Sequence, residues 1–283
     1  MQRLSLSLVV VALLGAVACS SPQTRSAKAS MQPGQSVRVA ACQIEVSDQL
    51  ERNFASIEQA LLQAKDLGAH IACFPETSLL GWVNPNAHQH AEPIPGTASM
   101  RLGDLAQQYG LMIAIGLAEQ DNGRLYDSAI LLDVDGSLLL KHRKANILTE
   151  LMDPPYTAGD GSASVASTRF GRIGLLICAD TFRPDVVSAA AAVKPDLMLV
   201  PYGWAAPKSD WPNHGRSLQA WVSNTARQTG APVVGVDATG SIAHGPWTGY
   251  LYGGQSVVSA SDGRVLGVMA DRQPQVQVFD LQL

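Results

Sequence analysis

Short runs of almost unbroken apolar residues recur along this chain: Val37 to Glu45, His70 to Phe74, Leu111 to Ile115, Arg172 to Cys178, Leu197 to Val200 and Val233 to Val236. A strand that reads this way is buried on both faces, which is the habit of parallel or mixed sheets covered by helices. The segments between the runs carry the helical period. Leu50, Phe54, Ile57, Leu61, Ala64 and Leu67 recur at three- and four-residue steps, after a Ser47-Asp48 pair suited to capping a helix and before Gly68 at its end. Further helices are predicted over 97–109, 185–193 and 217–229, the first and last ended by Gly110 and Gly230. Strand, helix, strand in that order implies a parallel pair with a crossover helix. Asn122-Gly123, Asp135-Gly136 and Asp262-Gly263 are hairpin turns between apolar runs. The mixture predicts an α/β protein in which two mixed sheets face each other with helices outside, a four-layer α-β-β-α sandwich spanning 37–283. Only 16% of residues are charged, against about 25% in an ordinary domain, in keeping with so much doubly buried strand.

The first residues read as an address. Met1-Gln2-Arg3 precedes an apolar stretch, Leu4 to Ala18, of signal-peptide length. Ala16-Val17-Ala18 fits an ordinary secretory cleavage site, and with Cys19 it also resembles a bacterial lipobox, although Ala16 stands where Leu is usual. The expectation is a signal peptide over 1–18, a lipidated Cys19 and a flexible tether rich in Ser, Gln, Ala and Pro over 19–36. That places the domain on the periplasmic face of the envelope, anchored in the outer membrane.

Several chemistries lack their usual marks. A net charge of −4 gives no basic surplus for nucleic acid. The chain has no G-x-S-x-G elbow, P-loop, G-x-G-x-x-G, C-x-x-C or H-E-x-x-H pattern. His88-Gln89-His90 reads as a polar surface loop. Neither a metal nor an organic cofactor is expected. Cys42 and Cys73 lie inside apolar strands and read as core residues, so Cys42, Cys73 and Cys178 are expected to remain free thiols.

Three stretches place a reactive residue at the end of a buried strand, where α/β folds expose functional groups: Phe74-Pro75-Glu76, His142-Arg143-Lys144 and Ile177-Cys178-Ala179-Asp180. A thiol, an ammonium and a carboxylate suffice for acyl transfer without histidine. The ammonium lowers the thiol pKa and steadies an oxyanion, aided by the Ala179 N–H, while the carboxylate moves the proton. Asp180 is expected to brace the turn.

In that order the three stretches resemble the signature segments of the nitrilase superfamily, the carbon–nitrogen hydrolases, over nearly all of 37–283. Val200-Pro-Tyr-Gly-Trp204 and Gly254 to Gly263 belong to the same likeness. The resemblance implies the four-layer sandwich, Cys178 as a nucleophile forming a thioester, Glu76 as general base and acid, and Lys144 stabilising the tetrahedral intermediate. It also implies a further glutamate in the loop after the lysine, for which Glu150 is the candidate, and a homodimer paired through helices beside the Cys178 turn. Trp82, Tyr202 and Trp204 follow strand ends and are candidates for the substrate pocket. The expected substrate is a small amide or carbamoyl compound. Three other readings compete: a nitrilase, disfavoured because Ala179-Asp180 and not Trp-Glu follows Cys178; an N-acyltransferase; and an inert lipid-anchored binding protein on the same fold.

Overall fold

A computed structural model describes residues 36–283; the expected signal peptide, Cys19 and nearly all of the tether lie outside the described residues. The chain opens with β1 (Ser36–Gln43), α1 (Leu50–Asp66), β2 (Ile71–Cys73), a short α2 (Ala87–His90), α3 (Thr97–Tyr109), β3 (Met112–Asp121), β4 (Arg124–Leu132) and β5 (Leu138–Arg143). The second half runs β6 (Val165–Thr168), β7 (Gly171–Leu175), α4 (Pro184–Ala192), β8 (Leu197–Pro201), β9 (Ala205–Ala206), α5 (Gly215–Thr229) and β10 (Val233–Val236). It finishes with β11 (Thr239–Ser241), β12 (Leu251–Gly253), β13 (Val257–Ser259), β14 (Val265–Val268) and β15 (Gln275–Gln282).

Two six-stranded sheets form, ordered β15-β1-β2-β3-β4-β5 and β14-β13-β10-β8-β7-β6, with β11-β12-β9 as a small third sheet. Each large sheet has a parallel centre, β1-β2-β3 in one and β10-β8-β7 in the other, flanked by antiparallel strands. Strand periodicity explains the layering. Val37, Val39 and Ala41 of β1 join a core shared with Ile173, Leu175, Leu197 and Leu199 of the opposite sheet. The alternate residues Ala40 and Cys42 pack with Phe54, Ile57 and Leu61 of α1 and Leu102 of α3. Helices α4 and α5 cover the other sheet through Val186, Val187, Leu218 and Val222. The four-layer α-β-β-α sandwich expected from the sequence is the fold observed.

Two details differ from the sequence reading. Ser47 and Asp48 do not cap α1; the N-cap position is Gln49, without a side-chain cap. The buried amide of Asn53 does the tethering instead, accepting from the Ser47 N–H at 2.8 Å and donating to the Ser47 and Leu79 carbonyls at 2.7 and 2.9 Å. Strand β3 also runs well past Ile115. Its outer half carries Glu119, whose carboxylate is buried against Lys141 and Arg143 of β5, so polarity there marks a buried ion-pair network and not the strand's end. Burial opposes the Glu119 charge, but Arg143, Lys141 and Ser128 outweigh it and pull its pKa down to about 2.

Candidate active site

The ends of β2, β5 and β7 converge. Beyond β2, the Phe74-Pro75 turn delivers Glu76, whose N–H donates to the Tyr202 carbonyl at 3.2 Å while Gly116 donates to the Pro75 carbonyl at 3.0 Å. A Cβ on Gly116 would lie 2.6 Å from the Glu76 Cα, so only glycine in β3 lets this turn lie so close. Lys144 follows β5 directly, its N–H bonded to the Asp127 carbonyl of β4 at 2.8 Å. Cys178 opens a 3-10 turn three residues after the end of β7, with φ +37°, a left-handed conformation uncommon for a side-chain-bearing residue and found where a site over-determines the backbone.

Glu76, Lys144 and Cys178 are all buried. The Lys144 Nζ donates to Glu76 Oε1 and, at 3.2 Å, to Asp127 Oδ2. Burial disfavours the ammonium, yet Glu76 and Asp127 outweigh it and hold the Lys144 pKa well above its ordinary value. The other Glu76 oxygen, Oε2, is buried with no hydrogen-bond partner. It faces Gly203, where a Cβ would come within 2.9 Å of it, and the Gly203 backbone is among the groups that pull the Cys178 pKa down. Free carboxylate oxygen and thiol therefore flank one glycine.

The sequence reading had Lys144 lower the thiol pKa. Lys144 and the Gly203 backbone do act in that direction, but burial first and the Glu76 charge second push the Cys178 pKa well above its ordinary value. The resting nucleophile is a protonated thiol with a carboxylate beside it.

Asp180 ties the lysine and cysteine segments together. Its Oδ1 accepts from the Ala145 and Asn146 N–H groups at 2.9 and 3.0 Å, and its Oδ2 accepts from the Ile177 N–H at 3.1 Å and lies 2.8 Å from His142 Nε2. Burial disfavours its charge, but His142 prevails and lowers the pKa. Ala179 is buried beside it, its carbonyl accepting from the Asn146 side chain at 2.7 Å.

The remaining candidates separate. Glu150 is exposed in a short 3-10 turn, Thr149–Leu151, and the carboxylate on Lys144 besides Glu76 is Asp127. Trp82 lines a small cavity above Lys144 with Leu148, Met152 and Tyr156. Tyr202 and Trp204 do not line that cavity. Tyr202 is fully buried, its hydroxyl 3.4 Å from Thr181, and Trp204 stacks on His214 and meets Phe182 edge-on. Sequence reasoning missed Asp127, Tyr156, Gly203 and Asp237. Asp237 is wholly buried, accepts from the Trp204 N–H at 2.6 Å and keeps its other oxygen unpartnered; burial raises its pKa well above the ordinary value. Cys42 and Cys73 are buried and unbridged, as is Cys178. Among the described residues there is no group of three or more His, Cys, Asp or Glu able to hold a metal ion.

Comparison with known proteins shows the family. The profile of the Carbon-nitrogen hydrolase family matches residues 38–283. The chain belongs to the carbon–nitrogen hydrolase family. This hydrolase is 27% identical over 267 residues to N-carbamoylputrescine amidase of Solanum lycopersicum, spanning 87% of this chain and 86% of that protein. It is 28% identical over 238 residues to omega-amidase NIT2 of Mus musculus, spanning 81% and 83%. Among solved structures, an amidase from Nesterenkonia sp. superposes with a TM-score of 0.75 at 24% identity, covering 89% of this chain and 92% of that one. The hydrolase thus sits in the amidase-like branch of the nitrilase superfamily.

Proposed function

We propose that this enzyme hydrolyses a small amide or carbamoyl compound through a thioester on Cys178. The carrying observation is the division of labour on Glu76: Oε1 is committed to the Lys144 ammonium, while Oε2 is unpartnered on the side of Gly203 and the thiol. In the reading this supports, Oε2 takes the Sγ proton as sulfur attacks the carbonyl carbon. The carbonyl oxygen becomes an oxyanion facing Lys144 Nζ and the Ala179 N–H. Collapse breaks the C–N bond, and Glu76 returns its proton to the departing ammonia or amine. Glu76 then takes a proton from water, the hydroxide adds to the thioester carbon, and the expelled thiolate recovers that proton. The raised thiol pKa makes the base obligatory, because little thiolate pre-exists at neutral pH.

The test is ammonia release from a panel of small amides, carbamoyl compounds and nitriles, with Cys178→Ala as the blank. Release from amides or carbamoyl compounds that Cys178→Ala abolishes supports the reading. Release from nitriles alone assigns a nitrilase, transfer to an added amine acceptor assigns an acyltransferase, and turnover of none assigns the inert binding protein. Periplasmic location through a lipid on Cys19 belongs to the same proposal. It is tested by palmitate labelling that Cys19→Ala must abolish. A homodimer is likewise proposed and is read by sedimentation.

A further inference from the structure

One buried carboxylate has no part in the reaction just outlined. Asp127 sits in the middle of β4, paired with Ala118 of β3, and is 1% exposed. Its Oδ2 accepts from Lys144 Nζ at 3.2 Å, its backbone carbonyl accepts from the Lys144 N–H at 2.8 Å, and its Oδ1 is buried without a partner. One residue thus holds Lys144 at both ends. Glu150, the loop glutamate the resemblance pointed to, is exposed. The loop that carries it instead turns Met152 and Tyr156 toward Lys144.

We propose that Asp127 is the positioning carboxylate of this centre: it fixes the Lys144 ammonium between itself and Glu76. The inference rests on the thioester reading above. Its chemistry follows from charge. Two ionised carboxylates around one ammonium in an apolar enclosure leave an uncompensated negative charge. The groups facing Asp127 are Glu76 from the turn after β2, Lys144 at the end of β5 and Tyr156 from the following loop. Burial first, then the Glu76 charge, raise the Asp127 pKa against the pull of Lys144. Asp127 is thereby held against ionisation, and in the thioester reading Glu76 is the carboxylate that receives the thiol proton. Above its pKa Asp127 turns into a second anion, which competes with Glu76 for Lys144 and disfavours the thiolate.

Two variants test this. Asp127→Leu removes the grip on Lys144, so kcat falls by roughly a hundredfold or more, the scale of losing an oriented charge at the oxyanion, while KM changes little. Asp127→Asn keeps an oxygen acceptor for Lys144, so it retains kcat within about tenfold. Because it cannot ionise, it also moves the alkaline limb of kcat/KM upward by about half a pH unit or more. Glu150→Gln leaves both readouts unchanged. An Asp127→Asn profile that superimposes on that of the wild type overturns the proposal, and decides the matter even if Asp127→Leu does not fold. Full activity of folded Asp127→Leu overturns it equally. The two levels separate cleanly: turnover by Cys178→Ala or Lys144→Ala at the wild-type rate sinks the thioester reading, whereas dead Cys178 and Lys144 variants beside unaltered Asp127 variants sink only this inference.

Discussion

Substituting Gly203 by alanine perturbs the site by a single methyl group. Its Cβ would lie 2.9 Å from Glu76 Oε2 and 3.1 Å from Trp82 Cγ, against about 3.5 Å or more for a relaxed heavy-atom contact. Neither neighbour can simply swing away. Trp82 is buried, and Glu76 is held by Lys144 through Oε1 and by the Tyr202 carbonyl through its own N–H. The excess of roughly half an ångström must be taken up by the carboxylate or by the Gly203 backbone just beyond β8. Overpacking of this kind costs about 1–3 kcal/mol of stability, or on the order of 2–10 °C in Tm for a domain of this size. A displacement approaching 1 Å at a reacting group costs up to about 10²-fold in rate; for half that, a kcat loss of about tenfold is expected. Steady-state kinetics on the preferred amide together with a thermal melt read both quantities. A variant that melts as the wild type does and keeps full kcat would refute the packing of Glu76 against Gly203.

Other expectations follow from the same contacts. Lys144→Ala leaves Glu76 and Asp127 buried without their cation, so activity falls by about 10²–10³-fold and stability by about 3–5 kcal/mol, read by ammonia release and urea melts. Iodoacetamide alkylates Cys178 ahead of the fully buried Cys42 and Cys73, and peptide mapping shows the rate still climbing through pH 9 because the thiol pKa is raised; a plateau near pH 8 contradicts this. Glu119, with its pKa held at about 2, adds stability that is complete above its unfolded value of about 4.3 and is lost as pH falls toward 2. Glu119→Gln should therefore flatten the Tm–pH curve over that window. Asp180→Asn flattens the same acid limb, because the lowered Asp180 pKa gives stability present above about pH 3.9 and lost on acidification.

The fold was legible because its strands are apolar on both faces and its helices keep their period: Thr97–Tyr109 and Val233–Val236 lie where the pattern puts them. The meeting of Glu76, Lys144 and Cys178 was legible because each follows the end of a strand. Glu150 misled because distance along the chain does not say which side chain a loop turns inward; Met152 and Tyr156 take the inner side here. Asp127 was hidden for the opposite reason. A lone acid in Leu125-Tyr-Asp-Ser-Ala-Ile130 reads as an outward-facing residue, and its burial makes sense only once Lys144 arrives from β5. Gly203 was invisible as a functional position, since its role is the side chain it lacks. Tyr202 and Trp204 follow a strand end as pocket residues do, yet their rings are used in packing, against Thr181 and against Phe182 and His214.

The most direct measurement is mass spectrometry of enzyme quenched in acid during turnover of the best substrate in the amide and carbamoyl panel. The expected result is an acyl adduct on the peptide containing Cys178, absent from Cys178→Ala and from enzyme incubated without substrate. Steady turnover with no adduct at Cys178, and at an undiminished rate in Cys178→Ala, would contradict the thioester reading at its root.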